Sequence, residues 1–289
     1  MTTEHTERTE NDAVIEIAQH AARAQAQATE LEPGKLYAFP TEHGPELVDL
    51  ASPAYTSRLA APQRKTGDTI VTNVASYAAY YTKHADDDSE TYVDVTRRTI
   101  TTILDAHTKD GPRWGHHRLH LRLATTDSWN AWLANDRKQL TQREFAEFIE
   151  DHLADIREPA AADMLEIAST FQAKTKVSFA SATRLSTGDT NLVWEETTDA
   201  TAGAKGNLKV PTSFKIAIQC LDLPIPEGED PVVYGIEARF RYRVERGQLY
   251  VTYLLGDPAA VLRDAVLSVV KQVEEGLGIE VLHGAPASA

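Results

Sequence analysis

The chain has 289 residues, of which 42% are hydrophobic and 25% are charged, and its formal net charge is −14. This composition is typical of a globular protein with a buried core. The negative charge disfavours a general nucleic-acid coat, which needs Lys and Arg to neutralise phosphates.

The N-terminal end and the cysteine content indicate where the protein resides. Residues 1–11 are polar and acidic, without the basic and then apolar pattern of a signal peptide, and we expect them to form a disordered tail. No apolar run reaches the roughly 18–20 residues that span a bilayer. The single cysteine, Cys220, excludes an intramolecular disulfide and fits a reducing compartment. We therefore expect a cytoplasmic protein with no membrane partner.

Residues 12–66 are predicted to form an N-terminal helix followed by an arm. The helix covers residues 12–28, where apolar side chains recur at helical spacing: Val14, Ile17, Ala18 and Ala21. Two short strands, 36–39 and 46–50, follow. The helix could lie on its own domain or dock on an adjacent subunit, and the sequence leaves both open.

The compact body is predicted to cover residues 67–281, with 282–289 as a tail. Its first half contains a helix and an antiparallel meander, and its second half is rich in strands and ends with a helix that Asp257 caps. The predicted elements of the body are strand 69–73, helix 74–85, strands 91–95, 99–107 and 116–124, helical hairpin 141–175, β-rich segment 177–255, and C-terminal helix 258–275.

The helical hairpin carries the clearest local signals. Thr141 and Glu144 form a capping box at the start of its first helix. Pro159 is predicted in the first turn of its second helix, where a missing N–H is tolerated. The fold class that follows is α+β, with antiparallel sheets, a central helical hairpin, an N-terminal helix and arm, and a closing C-terminal helix.

Two strands carry a basic face within this acidic chain, because side chains alternate along a strand. The residues of these faces are Arg239, Arg241 and Arg243 on one strand, and His116, Arg118, His120 and Arg122 on the other. They could simply pair with carboxylates on neighbouring strands. Alternatively, they could bind single-stranded nucleic acid or an acidic face of another subunit.

Intersubunit charge pairing is the better of the two functional alternatives. Tyr234, Tyr250 and Tyr253 are available to stack on bases, but Phe240 and Tyr242 lie on the face opposite the arginines.

Metal and cofactor sites are not predicted. His117 faces away from His116 and His120 on a strand, so the three cannot converge on a zinc ion. The carboxylates of the first hairpin helix lack the Glu-x-x-His pattern of di-metal sites and are expected to be solvated: Glu144, Glu147, Glu150 and Asp151.

Catalytic chemistry is not predicted either. The sequence has no phosphate-binding loop, no GxGxxG after a strand, no HExxH and no GxSxG, so we expect no enzyme. Cys220 is expected to be a buried, inert thiol. The aromatic residues that could form a pocket are assigned to the core by default: Trp129, Trp132, Tyr77, Tyr80 and Tyr81.

The run LTQREFAEFIEDHLADIREPAAADMLEIASTFQA resembles the signature block of the YfdQ-like family. The resemblance extends through TGDTIVTNVASYAAYYTKHADDD upstream and GIEARFRYRVERGQLYVTYLL downstream, over residues 10–284. It implies an uncharacterised protein of tailed phages and bacterial prophages, present in the cytoplasm of a bacterial host cell. The family implies no activity, cofactor or site residue.

We therefore expect a non-enzymatic protein that associates with itself. The N-terminal arm and the charged sheet faces would link copies into a homo-oligomer, either a ring or a capsid-like shell. One alternative is a single-stranded-DNA-binding or recombination accessory protein, because relatives of this type occur among phage early genes. Another is a host-takeover or anti-defence factor that binds a bacterial protein.

Overall fold

A computed structural model describes residues 14–19, 31–184, 190–203, 208–225, 228 and 230–287, with the backbone alone for residues 173–184 and 190–201. The chain divides into two compact units, Met1–Lys65 and Thr66–Ala289. Residues 14–19 are helical. The predicted tail 1–11 and the rest of the predicted helix 12–28 lie outside the described residues.

The N-terminal unit contains a β-hairpin. Its strands are β1 (Leu36–Thr41) and β2 (Gly44–Asp49), which pair antiparallel, and the short helix α1 (Pro53–Thr56) follows. Both predicted strands are present, and each differs from its predicted bounds by one or two residues. None of the side chains of residues 31–65 is buried, so the described part of this unit has no core of its own.

The C-terminal unit contains all the buried residues of the described chain. Its elements in chain order are β3 (Gly67–Val71), α2 (Val74–His84), β4 (Glu90–Asp94), β5 (Thr99–Ile103), β6 (His117–Arg122), α3 (Asp127–Asn135), β7 (Leu140–Thr141), α4 (Gln142–Asp151), a 3-10 turn (Leu153–Asp155), β8 (Ile156–Glu158), α5 (Ala161–Thr170), β9 (Gln172–Arg184), β10 (Thr190–Thr201), β11 (Ser213–Ile218), β12 (Tyr234–Glu245), β13 (Gln248–Leu255), α6 (Pro258–Leu277) and β14 (Val281–His283). This mixture of helices and sheets confirms the α+β fold class.

The first sheet is mixed, with strand order β14-β4-β5-β6-β3. Strands β4, β5 and β6 form the predicted antiparallel meander, whereas β3 runs parallel to β6 and β14 parallel to β4. The predicted tail 282–289 is therefore wrong at its beginning. Val281 is buried at the sheet edge, and His283 still pairs with Val93, because the chain returns along β4 after α6 ends.

The second sheet is antiparallel, with strand order β7-β13-β12-β11-β8. Its inner face packs against the helices through aromatic rings. The Trp132 ring lies 4.7 Å from Phe148, 5.3 Å from Tyr253 and 6.0 Å from Phe214, measured between centroids. All four side chains are buried, so the helical block is fixed to this sheet by an aromatic core.

The helical hairpin differs from its predicted form. The capping box of Thr141 and Glu144 is present at the start of α4. The second helix begins at Ala161 rather than at Pro159, which follows a cis peptide bond. The reason lies in β8, whose buried Ile156 pairs with Ile216 of β11. The two helices are thus separated by a strand of the second sheet.

The last two long strands and the C-terminal helix begin and end at residues typical of turns and helix caps. Strands β12 and β13 are joined by a turn at Arg246 and Gly247, and both have positive φ, 50° and 79°. Asp257 caps α6 by accepting a hydrogen bond from the Ala260 amide at 3.1 Å. The helix ends at Leu277, two residues beyond the predicted end, and Gly278 follows it with a φ of 66°. Among the described residues, no helix is long and apolar enough to cross a membrane.

Candidate interaction surfaces

The arginine stripe of β12 consists of Arg239, Arg241 and Arg243. All three side chains are exposed, while Phe240 between them is buried against the helices. The stripe lies on the outer face of the second sheet, as the alternation of side chains predicts. Alternate residues of a strand are about 7 Å apart, so the backbone positions that carry the three guanidinium groups are evenly spaced.

On the paired strands β11 and β13, whose residues are all described, no carboxylate lies opposite this stripe. In the register of the second sheet, Arg239 faces Leu254, Arg241 faces Thr252 and Arg243 faces Tyr250 across β13. On the other side, Ser213 of β11 faces Arg239. The cross-strand ion pairs that could have neutralised the stripe are therefore not formed on the neighbouring strands.

Ionic contacts of the stripe are confined to one end. The Arg243 guanidinium lies 3.1 Å from Glu245 on the same strand and also hydrogen-bonds the Gln139 side chain. Within the described part of the chain, Arg239 and Arg241 have no ionic partner. The stripe thus presents at least two exposed cations, although the chain as a whole carries a charge of −14.

One aromatic ring accompanies the arginine stripe. Tyr250 lies on the outer face beside Arg243, and its hydroxyl donates to the Gln248 side chain at 3.2 Å. The expectation that Tyr253 is available for stacking is wrong. Its ring is fully buried, because it points to the inner face of β13. Phe240 also faces inward, as predicted.

The basic stripe of β6 lies on the outer face of the first sheet. Arg118 donates to the carbonyl oxygens of Gly115 at 2.9 Å and Ala287 at 3.2 Å. His120 contacts the Thr101 hydroxyl at 2.9 Å. Burial lowers the pKa of His120, although the Asp68 carboxylate 3.9 Å away opposes this shift. The stripe is therefore more enclosed than that of β12.

The side chains of the other two residues of this stripe make fewer contacts. Arg122 is exposed and has no partner among the described residues, and His116 lies just before the strand with its ring 5.9 Å from that of Trp114. Trp114 is 68% exposed and was not predicted as part of a surface. It lies in the loop before β6, where strand periodicity supplies no signal.

The two basic stripes do not form one site. They lie on the outer faces of different sheets. Each stripe must therefore be considered separately as an interaction surface.

The histidines of β6 do not converge on a metal. His117 is buried on the inner face, where its Nε2 lies 3.0 Å from the Tyr80 hydroxyl and its ring 5.4 Å from that of His84. No group of three His, Cys, Asp or Glu side chains in the described ranges is arranged to hold a metal ion. The buried histidine belongs to the packing of α2 on the first sheet.

The remaining candidates of the sequence are core residues. Trp129, Trp132 and Tyr77 are fully buried within the hydrophobic core. Cys220 is also fully buried, and desolvation raises the pKa of its thiol to about 12. A thiol in this environment is protonated and unreactive at neutral pH.

An apolar groove that the sequence did not reveal lies along α6. It has a cavity volume of about 650 Å³ and is bounded by the first turn of α2, by residues 219–225 and by residues 230–234. We call it the α6 groove. Its apolar lining includes Val74, Leu221, Ile225, Val232, Tyr234 and Val269. Ile225 and Val232 at its rim are largely exposed.

Comparison with known protein families identifies the chain over nearly its whole length. Residues 8–286 match the family described as an uncharacterized conserved protein, DUF2303. The chain belongs to the DUF2303 family. No curated protein and no solved structure matches this DUF2303 chain, so the geometry of its surfaces is the basis for any functional inference.

Proposed function

We propose that this DUF2303 protein is a non-enzymatic, self-associating protein of tailed-phage or prophage origin. It would form a homo-oligomer, either a ring or a shell-like assembly, through its N-terminal unit and its charged sheet faces. The phage origin rests on the resemblance to the YfdQ-like family over residues 10–284.

The observation that carries this proposal is the absence of a core in the described part of the N-terminal unit. Residues 31–65 include an antiparallel hairpin and a short helix, yet none of their side chains is buried. Leu36 and Leu47, on one face of the hairpin, are each 63% exposed, and Tyr55 is also exposed. A two-stranded hairpin is marginal alone in water, so a unit of this kind is stabilised by another surface.

A second two-stranded ribbon lies in the C-terminal unit. Strands β9 and β10 pair over 12 residues, about 40 Å, and in the described part of the chain they form a two-stranded sheet with no third strand. A long ribbon with no third strand in the described part of the chain favours a protomer whose extensions contact a neighbouring copy. Association would supply a partner surface to the N-terminal hairpin.

The experiment that tests self-association is the native mass of the full chain, measured by light scattering on a sizing column. The protomer mass is 31.8 kDa, and we expect one discrete species of several times that mass. Replacing Leu36 and Leu47 with Asp should shift it toward 31.8 kDa, because each buried leucine contributes about 1.5–3 kcal/mol.

His43→Asp is the matched control for the hairpin variant. It introduces the same side chain at the hairpin turn, outside the leucine face, and should leave the mass unchanged. A monomeric wild-type protein would contradict the proposal. An unchanged mass in the Leu36→Asp, Leu47→Asp variant would exclude the hairpin from the contact.

The arginine stripe favours a second candidate function, binding of single-stranded DNA. Arg239, Arg241 and Arg243 form an exposed row with Tyr250 beside it, and strand-borne cations with a stacking ring are the elements of sequence-tolerant binding. Three phosphate contacts predict a slope of about −2 in log K against log salt for single strands.

A charge-reversal variant distinguishes DNA binding by this stripe from binding of an acidic face of another subunit. Arg239→Glu, Arg241→Glu and Arg243→Glu together should abolish retardation of a thirty-nucleotide oligothymidine at low salt if the stripe binds DNA. The same variant should lower the native mass if the stripe binds an acidic face of another subunit. The control reverses three exposed helical cations, Arg143, Arg263 and Lys271. Unchanged mass and unchanged retardation would remove both roles.

A further inference from the structure

The floor of the α6 groove is one face of α6, on which Ala265 and Ser268 have small side chains. Ala265, Ser268, Val269 and Gln272 line it, and their spacing of three and four residues places them on one side of α6. Small side chains at such positions allow another helix to approach closely, since the distance between packed helices depends on the side chains at the contact. The groove therefore has the form of a helix-binding site.

Two of the five polar side chains that line the groove, Gln219 and Asn73, make hydrogen bonds within the protein. The Gln219 amide donates to the carbonyls of Leu221 at 2.9 Å and Leu223 at 3.3 Å. Asn73 caps α2 by accepting from the Ser76 amide at 2.8 Å. Among the described residues, no Lys or Arg lines the groove, and its other polar side chains are Asp230, Ser268 and Gln272. Because most of the lining residues are apolar, the groove suits an apolar side-chain stripe better than a polar or anionic small molecule.

The chain itself carries a matching stripe. In the helical residues 14–19, Val14 is 63% exposed and Ile17 is 69% exposed. Ala18 follows Val14 by four residues, so these three side chains share one side of the helix. An amphipathic helix that places anchors at i, i+3 and i+4 into an apolar groove is a recurrent mode of peptide recognition.

We propose that the α6 groove of one copy binds the helix of residues 14–19 of a second copy. Val14 and Ile17 would enter the cavity, and Ala18 would lie against the small side chains of α6. This inference rests on the proposed self-association and specifies the contact that links neighbouring protomers. The groove would bind a helix of another chain, and the exposed Ile225 and Val232 at its rim would cover that helix.

Full-chain variants on both sides of the contact test the proposal. Val14→Glu with Ile17→Glu places charges in the cavity and should weaken association at least about tenfold, since unpaired charges are costly to bury. Gln19→Glu, on the opposite side of the helix, is the matched control. On the groove, Ser268→Trp fills the cavity, and Val232→Asp charges its exposed rim. Arg263→Trp, on the far side of α6, is the control.

A peptide titration identifies the occupant directly. A fluorescein-labelled peptide of residues 10–28 is titrated into the full-length Val14→Glu, Ile17→Glu variant, whose own helix cannot fill the groove. We expect saturable binding that becomes at least about tenfold weaker when Val232→Asp is added. The Val232→Asp substitution alters an exposed position, so it reports on the groove even if Ser268→Trp fails to fold.

The possible results distinguish the helix-in-groove contact from self-association through another surface. A wild-type mass that is retained by the helix and groove variants would overturn the helix-in-groove contact while leaving the oligomer intact. Loss of mass in the helix variant alone, with no effect of Val232→Asp on mass or on peptide affinity, would place the helix elsewhere and overturn it too. Peptide binding to a protein whose wild type is monomeric would show a helix docked within its own chain, again against the proposal.

Discussion

The Tyr253 hydroxyl donates a hydrogen bond of 2.7 Å to the backbone carbonyl of Trp132, and both side chains are fully buried. Trp132 lies in the last turn of α3, where carbonyl groups lack a partner within the helix. The Asp136 amide, four residues further along, could have donated to the Trp132 carbonyl. It donates to the Leu133 carbonyl instead. A side chain of β13 thus completes the end of a helix.

Removing the Tyr253 hydroxyl should destabilise the protein. In Tyr253→Phe the Trp132 carbonyl stays buried without a partner, and we expect the free energy of unfolding to fall by about 1–3 kcal/mol. Urea denaturation followed by tryptophan fluorescence measures this change. Tyr250→Phe, at a half-buried position on the outer face of the same strand, is the control and should change stability by less than about 0.5 kcal/mol. Equal effects in the two variants would contradict the role of the hydrogen bond.

The ion pair of Asp86 and Arg113 predicts a dependence of stability on pH. Two guanidinium hydrogen bonds, 2.6 Å and 3.0 Å, hold the pKa of Asp86 below its usual value of 3.8. A carboxylate with a depressed folded pKa stabilises the protein above its unfolded pKa, and this contribution is lost as the pH falls through the folded pKa. Because Asp86 is half exposed, we expect a contribution of only about 0.2–1 kcal/mol.

The measurement compares Asp86→Asn with the wild type by urea denaturation at pH 6 and at pH 3. The stability difference between the two proteins should be larger at pH 6 and should shrink as the pH falls below 3.8. Asp87→Asn is the control, because Asp87 makes no ion pair among the described residues. A difference that is independent of pH would show that the ion pair does not couple folding to the protonation of Asp86.

Features that depend only on residues close together in the sequence could be predicted. The capping box at Thr141 and Glu144 and the cap at Asp257 both involve residues three positions apart, so the sequence alone specifies them. The alternation that places Arg239, Arg241 and Arg243 outward is equally local, because it depends only on the period of a strand.

Features that depend on distant pairing could not be predicted. The three residues of β8 are too few to show a period, and they form a strand only because Ile156 pairs with Ile216 of β11. The register of β12 against β13 decides that Arg241 faces Thr252 rather than a carboxylate. The α6 groove likewise arises where α2, α6 and the segments 219–225 and 230–234 meet, and no short segment of sequence contains it.

The buried thiol of Cys220 should report on unfolding. Desolvation raises its pKa to about 12, and its side chain is fully buried. We expect no reaction of the native protein with a disulfide reagent at pH 8, because the thiolate is the reactive form. In urea, one thiol per chain should react, with a midpoint that follows the loss of tryptophan fluorescence. Reaction of the native protein at the rate of a free thiol would contradict the buried position.

The turn between β12 and β13 offers two substitutions with opposite expected effects. Arg246 and Gly247 both have positive φ, 50° and 79°, which is the pattern of a type I′ turn. A non-glycine residue in the left-handed region costs about 1–2 kcal/mol, and Asn tolerates that region better than Arg. We therefore expect Arg246→Asn to raise the free energy of unfolding by up to about 1 kcal/mol.

Gly247→Ala should instead lower the free energy of unfolding by about 1–2 kcal/mol. A Cβ at Gly247 would meet no atom within 4 Å, so steric contact with neighbours does not contribute and the cost arises from the backbone alone. Urea denaturation of both variants at pH 7 measures the two shifts against the wild type. A stabilising Gly247→Ala or a destabilising Arg246→Asn would contradict the left-handed geometry of this turn, since each substitution probes one of its two positive φ angles.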